Sequence, residues 1–179
     1  MPGRLVLVLG GCRSGKSAFA LRHAAELGSG GMFIATCPVL DDEMRERIRR
    51  HREERRGLDW DTVEEETDLA GALARCRPDG VVLIDCLTLW VNNVMHHGDV
   101  AGKPPGEDDL AALSLRMADA ALARRGTTVA VANEVGLGVV PDNPLARRFR
   151  DLAGRVNQTV AARADEVYFM VAGLPTRIK

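Results

Sequence analysis

The sequence predicts an α/β protein, a mostly parallel sheet covered by helices on both faces. Short apolar runs alternate with stretches of helical periodicity from one end of the chain to the other, which is the pattern of strands joined by crossover helices. The first apolar run, Leu5 to Leu9, breaks at glycines and leads straight into a helical pattern. No internal repeat or low-complexity tract interrupts the alternation.

Leu5 to Leu9 reads as a strand and Ser17 to Leu27, with Phe19, Ala20, Ala24 and Leu27 near helical spacing, as the helix after it. Met32 to Thr36 is a second buried strand. Asp41 to Arg56 is a mostly exposed helix, with Met44 and Ile48 four apart, acidic residues in its first turn and arginines later, as the helix dipole favours. A short strand over Trp60 to Glu64 and a helix over Asp68 to Arg75 precede Val81 to Ile84, a fully apolar strand ending in Asp85. Leu87 to His96 reads as helical, and Gly98 to Glu107, with two glycines and two prolines inside it, as a loop. Asp109 to Arg125 is an amphipathic helix leading to the strand Thr128 to Ala132. Asn143-Pro144 then starts a helix whose one face carries Leu145, Phe149, Leu152, Val156 and Val160, and Glu166 to Val171 is the last strand.

At 179 residues with net charge −1, residues 1–179 are expected to form one domain without a global field for nucleic acid or an acidic membrane. No apolar stretch reaches the roughly 18–20 residues of a membrane span, so a cytoplasmic protein is expected. The four cysteines, Cys12, Cys37, Cys76 and Cys86, show no CxxC spacing and read as free thiols. His96-His97 lacks zinc-ligand spacing.

Gly10-Gly11-Cys12-Arg13-Ser14-Gly15-Lys16-Ser17 matches G-x-x-x-x-G-K-[ST] at every fixed position, between a strand and a helix as that motif requires. In such a loop the glycines let backbone N–H groups wrap phosphates and the helix N-terminus adds favourable potential. Lys16 reaches β/γ oxygens and Ser17 ligates Mg²⁺. These residues imply binding of ATP or GTP. Asp85, where an apolar strand ends, suits a Walker-B carboxylate supporting Mg²⁺, the favoured reading; an N-cap for the helix beginning at Leu87 is the other role open to it, and the two are compatible. In the charged segment, Arg47, His51 and Arg55 share one helix face. Flanking guanidiniums disfavour the imidazolium, so a neutral His51 nitrogen there suits attack on an α-phosphate; the same spacing also describes a solvated histidine.

Across its length the chain resembles the bifunctional adenosylcobinamide kinase/adenosylcobinamide-phosphate guanylyltransferase family of cobalamin synthesis. The resemblance rests on Gly10 to Ser17, Ile34-Ala35-Thr36, Leu40 to Met44, Arg47-Ile48, His51-Arg52 and Trp60. It continues through Asn133 to Gly136, Val139 to Pro141, Leu145 to Arg147, Phe149 to Asp151, Ala153 to Gln158, Ala164 to Val167 and Ile178-Lys179. It implies a RecA-like P-loop NTPase fold, often a homotrimer, with ATP and GTP as substrates and Mg²⁺ as cofactor. It also implies two consecutive reactions: phosphorylation of the aminopropanol hydroxyl of adenosylcobinamide, then transfer of GMP from GTP through a histidine to adenosylcobinamide phosphate.

The family's nucleophile falls on His51, and its nucleotide contacts on Gly10 to Ser17, Ile34, Ala35, Thr36, Arg52, Glu53, Glu54, Arg55, Glu64 and Asp85. Asp85 stands where many relatives carry Glu, and Arg50 where some have a second histidine. The competing enzyme reading is a single-activity P-loop kinase; a nucleotide switch is disfavoured by the lack of an Asn-Lys-x-Asp segment. Residues 133–143 read equally as a wall of the corrinoid or nucleotide site or as a plain connection. Arg147, Arg148, Arg150 and Arg155 read as phosphate or subunit contacts, or as a solvated face.

Overall fold

The computed structural model describes residues 3–28, 30–38, 46, 49, 53, 57 and 59–179. In chain order the elements are β1 (Arg4–Gly10), α1 (Lys16–Glu26), β2 (Gly31–Ala35), β3 (Trp60–Glu64), α2 (Leu69–Arg75), β4 (Val81–Asp85) and α3 (Leu87–Val100). Then follow α4 (Glu107–Ala123), β5 (Thr127–Asn133), α5 (Pro144–Arg163), β6 (Glu166–Val171) and β7 (Leu174–Arg177). The helix expected over Asp41 to Arg56 lies mostly outside the described residues; Glu46, Arg49 and Glu53, which are described, are helical.

Among the described residues seven strands form one sheet in the order β3-β2-β4-β5-β1-β6-β7. All neighbours are parallel except β6 and β7. Strands covered on both faces must be apolar on both, and β1 shows it: Leu5, Val6, Leu7 and Val8 are all fully buried. Alternation splits them between two cores. Leu5, Leu7 and Leu9 pack with residues of α2, α3, α4 and α5, including Trp90, Leu110, Met117, Val156 and Val160. Val6 and Val8 pack with Ala20 and Ala24 of α1. Helices therefore cover both faces as expected.

Three boundaries differ from the sequence reading. A seventh strand, β7, follows a two-residue turn at Ala172-Gly173, both with positive φ (51° and 83°), the backbone that tight hairpins need. All four β7 side chains are exposed and one is Pro175, so neither alternation nor an apolar run marks it. Helix α3 passes through Gly98 to Val100 because that glycine admits a folded-back loop: Lys103 N–H donates to Gly98 O at 2.8 Å, and a Cβ at Gly98 would lie 2.6 Å from Pro105 Cδ. Helix α4 starts at Glu107, where Asp109 Oδ2 accepts from Gly106 N–H at 2.8 Å and fixes the turn. Asn143 and Pro144 start α5 as expected, with Asn143 Oδ1 accepting from Leu145 and Ala146 N–H.

Candidate nucleotide site

The parallel strands end at one edge, and the glycine-rich loop bridges from β1 to α1 there. Its conformation is set by the chain itself. Ser14 N–H closes a turn on Gly11 O at 3.2 Å, Arg13 sits at φ 56°, and Gly15 at φ 90° is the N-cap of α1 without a side-chain cap. The first turn of α1 holds no acidic residue, so its N–H groups and its positive dipole end are left for an anion. Lys16 Nζ folds over the loop and donates to Gly11 O at 3.1 Å. Ser14 is buried and its Oγ has no partner among the described residues. Cys12 and Arg13 are exposed, and Gly10, Gly11 and Ser17 line the same short span.

The loop is held from two sides by backbone. Glu134 N–H donates to Gly10 O at 3.1 Å, and Gly173 N–H, at the tip of the β6–β7 hairpin, donates to Ser14 O at 2.9 Å. The tip comes so close that a Cβ on Gly15 would lie 3.0 Å from Gly173 Cα.

Asp85 ends β4, two strands from β1, with β5 between them. Asp85 pairs with Val131 while Gly10 pairs with Asn133, so β4 stops two residues lower. At ordinary ladder spacing the two strand axes are about 10 Å apart, a span that accommodates phosphates and a hydrated cation. Asp85 and Lys16 both act on Cys86: burial pushes its thiol up to about 12, the Asp85 carboxylate pushes the same way, and Lys16 opposes it. A buried thiol held protonated is not a nucleophile. The Ser17 hydroxyl and Asp85 carboxylate are hard oxygen donors, the kind that Mg²⁺ takes beside phosphates.

The remaining expected contacts are spread along the edge. Ile34 and Thr36 are fully buried. Thr36 Oγ1 accepts from Cys86 N–H at 2.7 Å and donates to Cys86 O at 2.8 Å, joining the ends of β2 and β4. Ala35 pairs with both Glu64 and Asp85, and exposed Glu64 stands four strand spacings, about 19 Å, from Gly10. Glu53 is exposed. His51, Arg52, Glu54 and Arg55 lie outside the described residues.

A family model described as cobinamide kinase / cobinamide phosphate guanyltransferase matches residues 6–178. The bifunctional adenosylcobalamin biosynthesis protein CobU of Escherichia coli K12 is 43% identical, covering 98% of this chain and 99% of its own. The chain belongs to this family. The CobU protein of Salmonella typhimurium is 42% identical over 98% and 99% of the two chains, and the CobP protein of Pseudomonas aeruginosa 42% over 97% and 96%.

For this family member the structure also brings forward side-chain contacts that the sequence reading did not identify. Asn93 Nδ2 donates to Thr36 O at 2.7 Å and to Glu66 O at 3.2 Å, and Thr88 Oγ1 accepts from Asn133 N–H at 2.6 Å. Asn157 Nδ2 donates to Asn133 O at 3.1 Å. These contacts join residues 24 to 57 positions apart, and no local pattern marks them. Of the arginines Arg147, Arg148, Arg150 and Arg155 on α5, two serve the fold: Arg147 donates to Pro141 O and Asp142 O, and Arg148 to Asp99 and Pro105 O. Arg150 and Arg155 instead line a groove beside the 134–143 segment. No helix among the described residues is long and apolar enough to cross a membrane.

Proposed function

We propose that this chain phosphorylates adenosylcobinamide with ATP or GTP and then transfers GMP from GTP, through His51, to adenosylcobinamide phosphate, giving adenosyl-GDP-cobinamide. The observation that carries the nucleotide half is the uncapped α1 N-terminus under a loop with Lys16 folded across it. Family membership supplies the acceptor.

The same cradle serves both steps. In the first, the acceptor hydroxyl attacks Pγ and the nucleoside diphosphate leaves; in the second, a neutral His51 nitrogen attacks Pα, pyrophosphate leaves, and the acceptor phosphate then takes GMP from the imidazole. Lys16 and the α1 N–H groups take up charge developing on the phosphates in either step. Ser17 and Asp85 would hold Mg²⁺, which neutralises phosphate charge when bound. Arg52, Glu53, Glu54, Arg55, Ile34, Ala35, Thr36 and Glu64 complete the proposed nucleotide contacts, and the proposed assembly is a cytoplasmic homotrimer.

Incubation with α-labelled GTP and Mg²⁺ tests this reading. Label should stay with denatured protein, be acid-labile, and vanish in His51→Ala, which should keep cobinamide phosphorylation. Lys16→Ala should lose both activities by about 10²-fold or more. Active enzyme that never takes up label would leave a single-activity kinase.

A further inference from the structure

A groove of about 860 Å³ opens at the carboxyl edge of the sheet, between α5 and the segment after β5. Its floor includes Leu9, the residue before the glycine-rich loop, and its wall includes Glu134, whose N–H is bonded to Gly10 O. It therefore begins where the phosphate loop begins. Leu9 and Ala161 belong to the face covered by α2 to α5, whereas α1 packs on the other face. A nucleotide on the α1 N-terminus and an occupant of this groove would flank the end of β1 from opposite sides.

The lining is mixed in a particular way. Leu137 and Val140 stand out from the loop at 78% and 58% exposure, on a segment anchored by the bonds of Arg147 to Pro141 O and Asp142 O. Around them lie three carboxylates, Glu107, Glu134 and Asp151, and two guanidiniums, Arg150 and Arg155. The volume is at the upper end for small-molecule sites, about 300–1,000 Å³, larger than a simple metabolite requires. A flat macrocycle with apolar faces and a rim of amides matches uncovered aliphatic side chains ringed by polar groups. A cobalt(III) corrin bearing one alkyl ligand carries a single positive charge, and the carboxylates outnumber the guanidiniums by one.

We propose that this groove seats the corrinoid acceptor, with Leu137 and Val140 against the macrocycle and the arm directed past Glu134 toward the phosphate loop. Arg155, a lining residue of the same groove, is assigned to the acceptor's phosphate in the second step. The assignment rests on the function proposed above and adds the place where the acceptor binds.

Equilibrium dialysis of the full chain against adenosylcobinamide, read by its visible absorbance, tests it. Leu137→Asp and Val140→Asp should each weaken corrinoid binding at least tenfold, with GTP affinity within twofold and an unchanged sedimentation coefficient. Arg155→Ala should weaken adenosylcobinamide phosphate at least threefold more than adenosylcobinamide. Variants that bind the corrinoid as the wild type does would overturn the groove assignment alone. So would a change in sedimentation, which would make the loop a subunit interface, or a parallel loss of GTP binding, which would give the groove to the nucleotide. A wild-type protein that binds GTP but no corrinoid would overturn the proposed function together with the groove.

Discussion

The two halves of the carboxyl edge are fastened by different chemistry. At the ends of β2, β4 and β5 the fasteners are buried side chains: the Thr36 hydroxyl on Cys86, the Asn93 amide on Thr36 O and the Thr88 hydroxyl on Asn133 N–H. At the end of β1 the fasteners are main-chain groups, Glu134 N–H on Gly10 O and Gly173 N–H on Ser14 O. A strand end that only has to stay in place can spend its side chains on the protein. A loop that has to grip phosphates leaves its helix N-terminus without a side-chain cap and takes its support through the carbonyls of Gly10 and Ser14.

Thr36→Val breaks the side-chain half at its centre and carries the largest expected effect. Valine fills the same volume but leaves the buried Cys86 N–H without its acceptor; Cys86 O keeps the Trp90 N–H at 3.1 Å. An orphaned buried amide and the lost hydroxyl bond together cost about 2 kcal/mol. For a chain of this size that is about 4–8 °C in the melting midpoint, measurable by calorimetry. If the midpoint holds while GTP binding collapses, the hydroxyl belongs to the ligand and the contrast fails.

Gly173→Ala tests the main-chain half and should be smaller in stability but larger in function. A Cβ at Gly173 meets nothing within 4 Å, so the cost is conformational, an alanine at φ 83°, about 1 kcal/mol. The tip relieves that strain by moving off Ser14, and the loop loses a support. GTP affinity, by titration calorimetry, should fall several-fold for a midpoint change of about 2–4 °C. A midpoint drop with unchanged affinity would make the hairpin a plain edge of the sheet.

The same division decides what the sequence could reveal. The glycine-rich loop is legible because each position has its own task within eight consecutive residues, and the apolar strands because both faces of a parallel sheet are buried. Asn143-Pro144 announces α5 because capping is local. Gly173 is silent because its partner Ser14 is 159 positions away, and β7 because an exposed edge strand needs only its backbone. Thr36 stands in a motif that suggests ligand contact; that its hydroxyl also joins both Cys86 N–H and Cys86 O becomes visible only with the pairing of β2 with β4.

His23 supplies the smallest effect and refines the contrast, because it shows that the main-chain half also has a side-chain anchor further along α1. Its ring stacks on Phe19 at 5.6 Å and 10° and meets the edge of Tyr168 on β6 at 5.6 Å; its buried Nε2 has no partner among the described residues. Burial lowers its pKa below 6.5; Glu26 opposes that and Arg4 adds to it. The unfolded chain therefore takes up the proton first. This contribution to stability is complete above pH 6.5 and is lost as the pH falls from there through the lower folded value. Melting midpoints between pH 7.5 and 5.5 should decline more steeply in the wild type than in His23→Phe, which keeps a ring but not the proton, by no more than about 2 °C. Equal slopes would mean that the ring protonates as readily in the fold as outside it. The aromatic contact between α1 and β6 would then yield to solvent, leaving the loop supported by the two main-chain bonds alone.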